Sequence, residues 1–145
     1  MILALDTDVL INWQMGGAPF HAAAQNLVRE HVQQRCEPLG LVPQVIHEFL
    51  HVSTDGRRFE RPLSMGDALL RCNVLWHAPE VLRITPSPSV LARTLELLGS
   101  LQLGRKRILD TSLAASLEAA GVRRLATFNP DDFAAFPFIE TVTPR

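Results

Sequence analysis

The chain has 145 residues, 47% of them hydrophobic and 20% charged, which fits one packed domain and excludes a disordered chain. Its 14 Lys and Arg against 15 Asp and Glu give a net charge of −1, which excludes a globally basic protein drawn to nucleic acid by its overall field, though not a local basic patch. Cys36 and Cys72 are too few for a disulfide framework and too far apart for a zinc knuckle, no apolar run reaches the ~18 residues of a bilayer span, and no basic lead-in precedes Asp6 and Asp8; the expectation is a reduced, cytoplasmic protein with neither membrane span nor signal peptide.

In chain order, Ile2 to Leu5 is a continuous apolar run that predicts a buried strand. A helix over Val9 to Trp13 follows, with Thr7 or Asp8 as its N-cap, until Gly16, Gly17 and Pro19 break it. His21 to Gln34 reads as a second helix. Leu39 to Val42 is the next strand, and Pro43 opens a helix carrying Val45 to Val52, which stops near Asp55-Gly56. Arg57, Arg58 and Arg61 form a basic stretch. Ser64 to His77 is a further helix with Ser64 as a candidate cap, Val81 to Ile84 a third strand, and a Leu-rich helix runs from beyond Pro86 and Pro88 to about Leu101. The basic turn Gly104-Arg105-Lys106-Arg107 leads into a helix from Asp110 to Ala120, closed by Gly121. Leu125 to Phe128 is a fourth strand, and Phe138 to Val142 a candidate fifth.

Strands that are continuous apolar runs, alternating with helices, predict a single α/β domain over residues 1–145 with a mostly parallel sheet covered on both faces. Ligands of such sheets lie beyond the carboxyl ends of the strands. The acids recur there: Asp6 and Asp8 after the first strand, Glu48 on the helix after the second, Asp110 at the start of a later helix, Asp131 and Asp132 after the fourth. At 100° per residue Glu48 borders the face of Val45, Phe49 and Val52, and Asp110 lies in line with Leu113, Ala114 and Leu117. Carboxylates gathered against a buried stripe repel one another unless a cation sits among them, and hard cations take oxygen ligands. Asp6, Glu48 and Asp110 together therefore point to a divalent-metal site. Taken singly, Asp8 and Asp110 also fit helix caps, Glu48 a surface position, and Asp131 and Asp132 a turn.

At these residues the chain resembles the PIN-domain nucleases, and within them the VapC-like toxins of toxin–antitoxin pairs. The carrying segments are Leu5-Asp6-Thr7-Asp8-Val9-Leu10-Ile11, the Val45 to Val52 helix with Glu48, Leu109-Asp110-Thr111-Ser112-Leu113-Ala114-Ala115, and Leu125-Ala126-Thr127-Phe128-Asn129-Pro130-Asp131-Asp132-Phe133. Asp8 stands where the family usually has asparagine or serine, and Asn129 where many members have a fourth aspartate. The resemblance implies a three-layer α/β/α sandwich with a sheet of about five strands. It implies cleavage of RNA that depends on Mg²⁺ or Mn²⁺, with Asp6, Glu48 and Asp110 as ligands. Asn129, Asp132 and Thr7 are expected to assist, with Asp131 an alternative source of charge. It also implies an antitoxin partner and a homodimer, the latter with indirect support from the apolar Trp13, Phe20 and Leu95 to Leu101. Arg57, Arg58, Arg61, Arg105, Lys106 and Arg107 flank the acids in sequence and are candidate phosphate contacts.

Two other readings compete. His47-Glu48-Phe49-Leu50-His51 matches the helical H-E-x-x-H motif of zinc metalloproteases. The extended form fails, since Thr54 and Arg57 occupy the positions of its glycine and third histidine, leaving Glu60, Asp67 or Glu80 as third ligand. That motif explains five residues; the nuclease reading also explains the acids at the strand ends. A catalytically inactive RNA-binding domain of the same fold is the remaining alternative.

Overall fold

Every strand of the sheet is short, and the central ones are the apolar runs. In the computed structural model, which describes residues 1–145, the strands are β1 (Leu3–Leu5), β2 (Leu39–Leu41), β3 (Val81–Arg83), β4 (Arg124–Ala126) and β5 (Glu140–Val142). They form one sheet in the order β3-β2-β1-β4-β5, with every neighbouring pair parallel. Leu3 is in register with both Leu39 and Arg124, and Leu5 with Ala126, so β1 and β4 end side by side.

Six α-helices connect them: α1 (Thr7–Gln14), α2 (His21–Arg29), α3 (Pro43–Ser53), α4 (Met65–Trp76), α5 (Pro88–Ser100) and α6 (Ile108–Ala119). From β1 to β3 the chain steps one way across the sheet, and from β3 to β5 it steps back the other way. Right-handed crossovers therefore put α1 to α4 on one face and α5 and α6 on the other. The helix packing agrees: α1 rests on α2 and α3, α3 on α4, and α5 on α6. This is the expected three-layer sandwich. Its topological switch point falls between β1 and β4, where the crevice for a ligand opens.

The core runs through both interfaces. Leu3, Leu5, Leu39, Leu41 and Leu125 from the strands meet Val9, Leu10, Val45, Phe49, Leu113 and Leu117 from the helices. Gly40 is held by a close approach: a Cβ there would lie 3.0 Å from Ile84 Cδ1 and 3.2 Å from Ile2 Cγ2.

Some expectations are corrected. The run from His21 to Gln34 is not one α-helix; α2 ends at Arg29 and Glu30–Gln34 wind as a π turn. Neither Thr7 nor Asp8 caps α1. The chain turns helical two residues sooner than Val9, at Thr7, and Asp6 is the cap, its carboxylate accepting from the Thr7 N–H at 2.8 Å. Asp110 is not a cap either: α6 begins at Ile108 and Asp110 lies in its first turn. Ser64 does cap α4, its hydroxyl accepting from the Asp67 N–H. The fifth strand is confined to Glu140–Val142, and the edge strands β3 and β5 are only partly covered. No helix is long and apolar enough to cross a membrane.

Candidate active site

The carboxyl ends of β1 and β4 set the first part of the site. Asp6 follows β1, and its N–H is fixed by the Ala126 carbonyl at 2.9 Å. Thr127 follows β4, is fully buried, and is held by its own N–H on the Val142 carbonyl. The Thr127 hydroxyl donates to Asp6 Oδ2 at 2.8 Å and also lies 3.4 Å from Asp8 Oδ2. Asp8 Oδ2 further accepts from the Phe128 N–H at 3.0 Å and the Asn129 side-chain amide at 2.8 Å. Asp8 Oδ1 is buried with no partner.

The second part comes from α3, α6 and the turn after β4. Pro43 starts α3, and Val45 and Phe49 anchor it in the core, which leaves Glu48 half-buried on its flank. Gln44 donates both to Glu48 Oε1 at 3.1 Å and to the Leu109 carbonyl at 3.0 Å, so one amide ties the Glu48 helix to the start of α6. Buried Leu113, Ala114 and Leu117 hold α6 down and orient Asp110. Arg107 lies 3.0 Å from both Asp110 Oδ2 and Asp132 Oδ1, bridging α6 to the short 3₁₀ turn Pro130–Phe133.

The electrostatics reflect gathered negative charge. Burial, and then the charge of Asp8, push the Asp6 carboxyl up to about 7; Asp110 adds a smaller push in the same direction. Burial raises Asp8 as well. Asp110 is raised by burial first, partly offset by its hydrogen bond from Arg107, with Asp132 and Glu48 adding repulsion. The acids of four segments therefore feel one another. As the side chains stand, no three of them close into one ligating cluster. The donor set nonetheless suits a hard divalent cation: it is all oxygen, it repels itself, and it includes a buried carboxylate oxygen with no hydrogen-bond partner.

The other candidates divide. Thr7 is half-buried beside Asp6, Asn129 is exposed, and Asp131 is exposed and outside the network. Arg105 and Lys106 are exposed on the turn before α6. Arg57 and Arg58 pair with Asp55, and Arg58 and Arg61 line a cavity with Gln14 and Met15 at the far end of α1 from Asp6. An eight-residue helix is ~12 Å long, so this cluster lies well away from the carboxylates. His47 and His51 are exposed on α3, and no third metal-binding side chain joins them. Sequence reasoning missed Thr127, Gln44 and the contacts of Asp8. Thr127, the residue immediately after β4, was the one open to the strand-end rule.

An all-parallel sheet in this order, with acids from several segments over its switch point, defines a PIN-fold protein. No family model matches the chain. The chain is 30% identical over 114 residues to ribonuclease VapC43 of Mycobacterium tuberculosis, covering 79% of this chain and 77% of that protein. Among solved structures, VapBC-1 of nontypeable Haemophilus influenzae superposes with a TM-score of 0.69 at 15% identity, covering 99% of this chain and 98% of that one. VapC20 of M. tuberculosis, a toxin that cleaves the sarcin–ricin loop, gives 0.67 at 15% identity over 92% and 95%. The chain belongs to the VapC ribonuclease family.

Proposed function

We propose that this protein is a metal-dependent endoribonuclease that hydrolyses RNA phosphodiesters and serves as the toxin of a toxin–antitoxin pair, inhibiting translation in the cytoplasm. The observation that supports the reading is that Asp110 repels both Asp6 and Glu48, so that acids of three separate segments lie within electrostatic reach near the carboxyl edge of the sheet, in a chain of this family. Residues 1–145 act as one PIN-like unit.

Asp6, Glu48 and Asp110 would hold Mg²⁺ or Mn²⁺, directly or through water, and the ion would supply a water of lowered pKa and offset the charge of the phosphoryl oxygens. Thr127 orients Asp6 by its hydroxyl, and Gln44 orients Glu48. Arg107 holds Asp110 and Asp132 in place, so its charge is already committed to carboxylates. Thr7 and Asn129 are available to a phosphate oxygen or a water. Exposed Arg105 and Lys106 supply the nearer phosphate contacts, with Arg57, Arg58 and Arg61 farther along the strand of RNA.

The partners in this reading are the RNA substrate, a cognate antitoxin protein and a second copy of the chain. Support for protein partners comes from exposed apolar side chains: Leu70 and Val74 on α4, and Leu91 and Leu95 on α5, are each at least 60% exposed. A solved toxin–antitoxin complex from Klebsiella pneumoniae shares this fold, which supports an antitoxin partner.

Asp6→Asn tests the reading. The variant is expected to fold and to lose RNA cleavage in Mg²⁺ or Mn²⁺, and to relieve toxicity on expression. Cleavage at the wild-type rate would assign Asp6 a structural role, while metal-dependent RNA binding without cleavage by the wild type would favour the inactive module.

A further inference from the structure

Asp8 is an acid with no task in the assignment above. It does not cap α1, because Asp6 does. Its Oδ2 collects the Phe128 N–H, the Asn129 amide and the edge of the Thr127 hydroxyl, while its Oδ1 is buried with no partner. Joining the β1 and β4 ends does not need a negative charge. An asparagine carbonyl oxygen accepts the same N–H bonds without placing a second buried charge beside Asp6. The two carboxylates also share the Thr127 hydroxyl, at 2.8 and 3.4 Å, so their charges lie close together. Retaining a charge there is favourable when a cation neutralises it and takes the unsatisfied oxygen.

We propose that Asp8 is a further metal-holding carboxylate of this site, fixed by Phe128 and Asn129 on one oxygen and offering the other to the cation. Asn129 then acts as a positioning residue through its hydrogen bond to Asp8. The inference rests on the reading that the site holds a divalent cation.

The test uses the purified chain with Asp8→Asn, Asn129→Asp and the double exchange, titrated with Mn²⁺ by calorimetry and melted with and without Mn²⁺. Asp8→Asn is expected to weaken Mn²⁺ binding about tenfold or more and to shrink the stabilisation by Mn²⁺. Its metal-free melting temperature is expected to hold or rise, because a buried repulsion is removed. The Asn129→Asp variant loses the amide donor to Asp8 and sets a carboxylate against it, so it is expected to melt lower without metal and to regain that loss when Mn²⁺ is added. The double exchange, which moves the carboxylate to the other side of one hydrogen bond, is expected to recover part of the lost affinity. Asp8→Asn protein that melts lower without metal yet binds Mn²⁺ as the wild type does would overturn the proposal and leave Asp8 a structural latch. If Asp8→Asn does not fold, an Asn129→Asp variant whose melting temperature Mn²⁺ fails to restore overturns it instead. A wild-type protein that binds no Mn²⁺ would overturn the underlying reading and this proposal with it.

Discussion

Asp6 both caps α1 and faces the other acids, and those two settings pull on its proton in opposite directions. The hydrogen bonds from Thr127 and Thr7 favour the carboxylate, while burial and Asp8 favour the acid and prevail, raising it from 3.8 to about 7. A raised carboxyl makes the folded state bind more protons than the unfolded chain. The stability it contributes is complete below pH ~4 and is lost as the pH rises through about 7. Metal-free protein is therefore expected to melt at a lower temperature at about pH 8 than at about pH 5 through this group. Calorimetry on Asp6→Asn checks it: the variant's decline over that range should be shallower than that of the wild type, and an equal decline would assign the effect to other groups. His51 is the opposite case, exposed on α3 with no site contact. The gathering of Asp6, Glu48 and Asp110 toward the carboxyl edge of the sheet was legible because each lies at or near a strand end or against an apolar stripe. The hydrogen bonds of Asp8 were not, since its partner Asn129 is 121 residues away and the contact depends on how β1 and β4 end together. Arg107 was legible as a cation beside the acids; its pair with Asp110 is local, three residues along the same helix start, but its pair with Asp132 forms only once α6 and the turn after β4 meet.

At the scale of elements, the central strands and most helices could be read directly, because continuous apolar runs and Pro or Ser starts have local causes. The misses also have causes. The π turn at Glu30–Gln34 continues a helical pattern and differs only in hydrogen bonding, which composition does not encode. The edge strands are less apolar because one side lacks a neighbour to bury them. The α3 helix presents Glu48 because Phe49 is wholly buried beside it. Phe49→Ala is expected to destabilise the fold by ~3–5 kcal/mol in chemical denaturation, through the cavity it leaves. The Gly40→Ala change fails by the opposite route. Its methyl group meets Ile84 and Ile2 in the middle of β2, and a loss of ~1–3 kcal/mol is expected in the same measurement.

Across the whole molecule, the near-zero net charge conceals an arrangement. Acids converge over the switch point, and the arginines divide into those committed to carboxylates, such as Arg107, and those left exposed, such as Arg105. Exposed cations that contact phosphate make RNA binding fall with salt. Replacing Arg105 and Lys106 together by glutamine is expected to weaken RNA binding several-fold and flatten its salt dependence, as read by titrations at varied ionic strength. An unchanged slope would remove them from the RNA path. The H-E-x-x-H spacing on α3 shows why a motif needs its surroundings: its glutamate is shared by both readings, and only its histidines separate them. The central claim is that the carboxylates, not those histidines, carry a metal-dependent nuclease, and paired assays of Asp6→Asn and His51→Ala test it most directly. With RNA and Mn²⁺, Asp6→Asn should be inactive though folded, and His51→Ala should cleave as the wild type does. Cleavage by Asp6→Asn, together with loss of activity and of bound zinc in His51→Ala, would contradict the account.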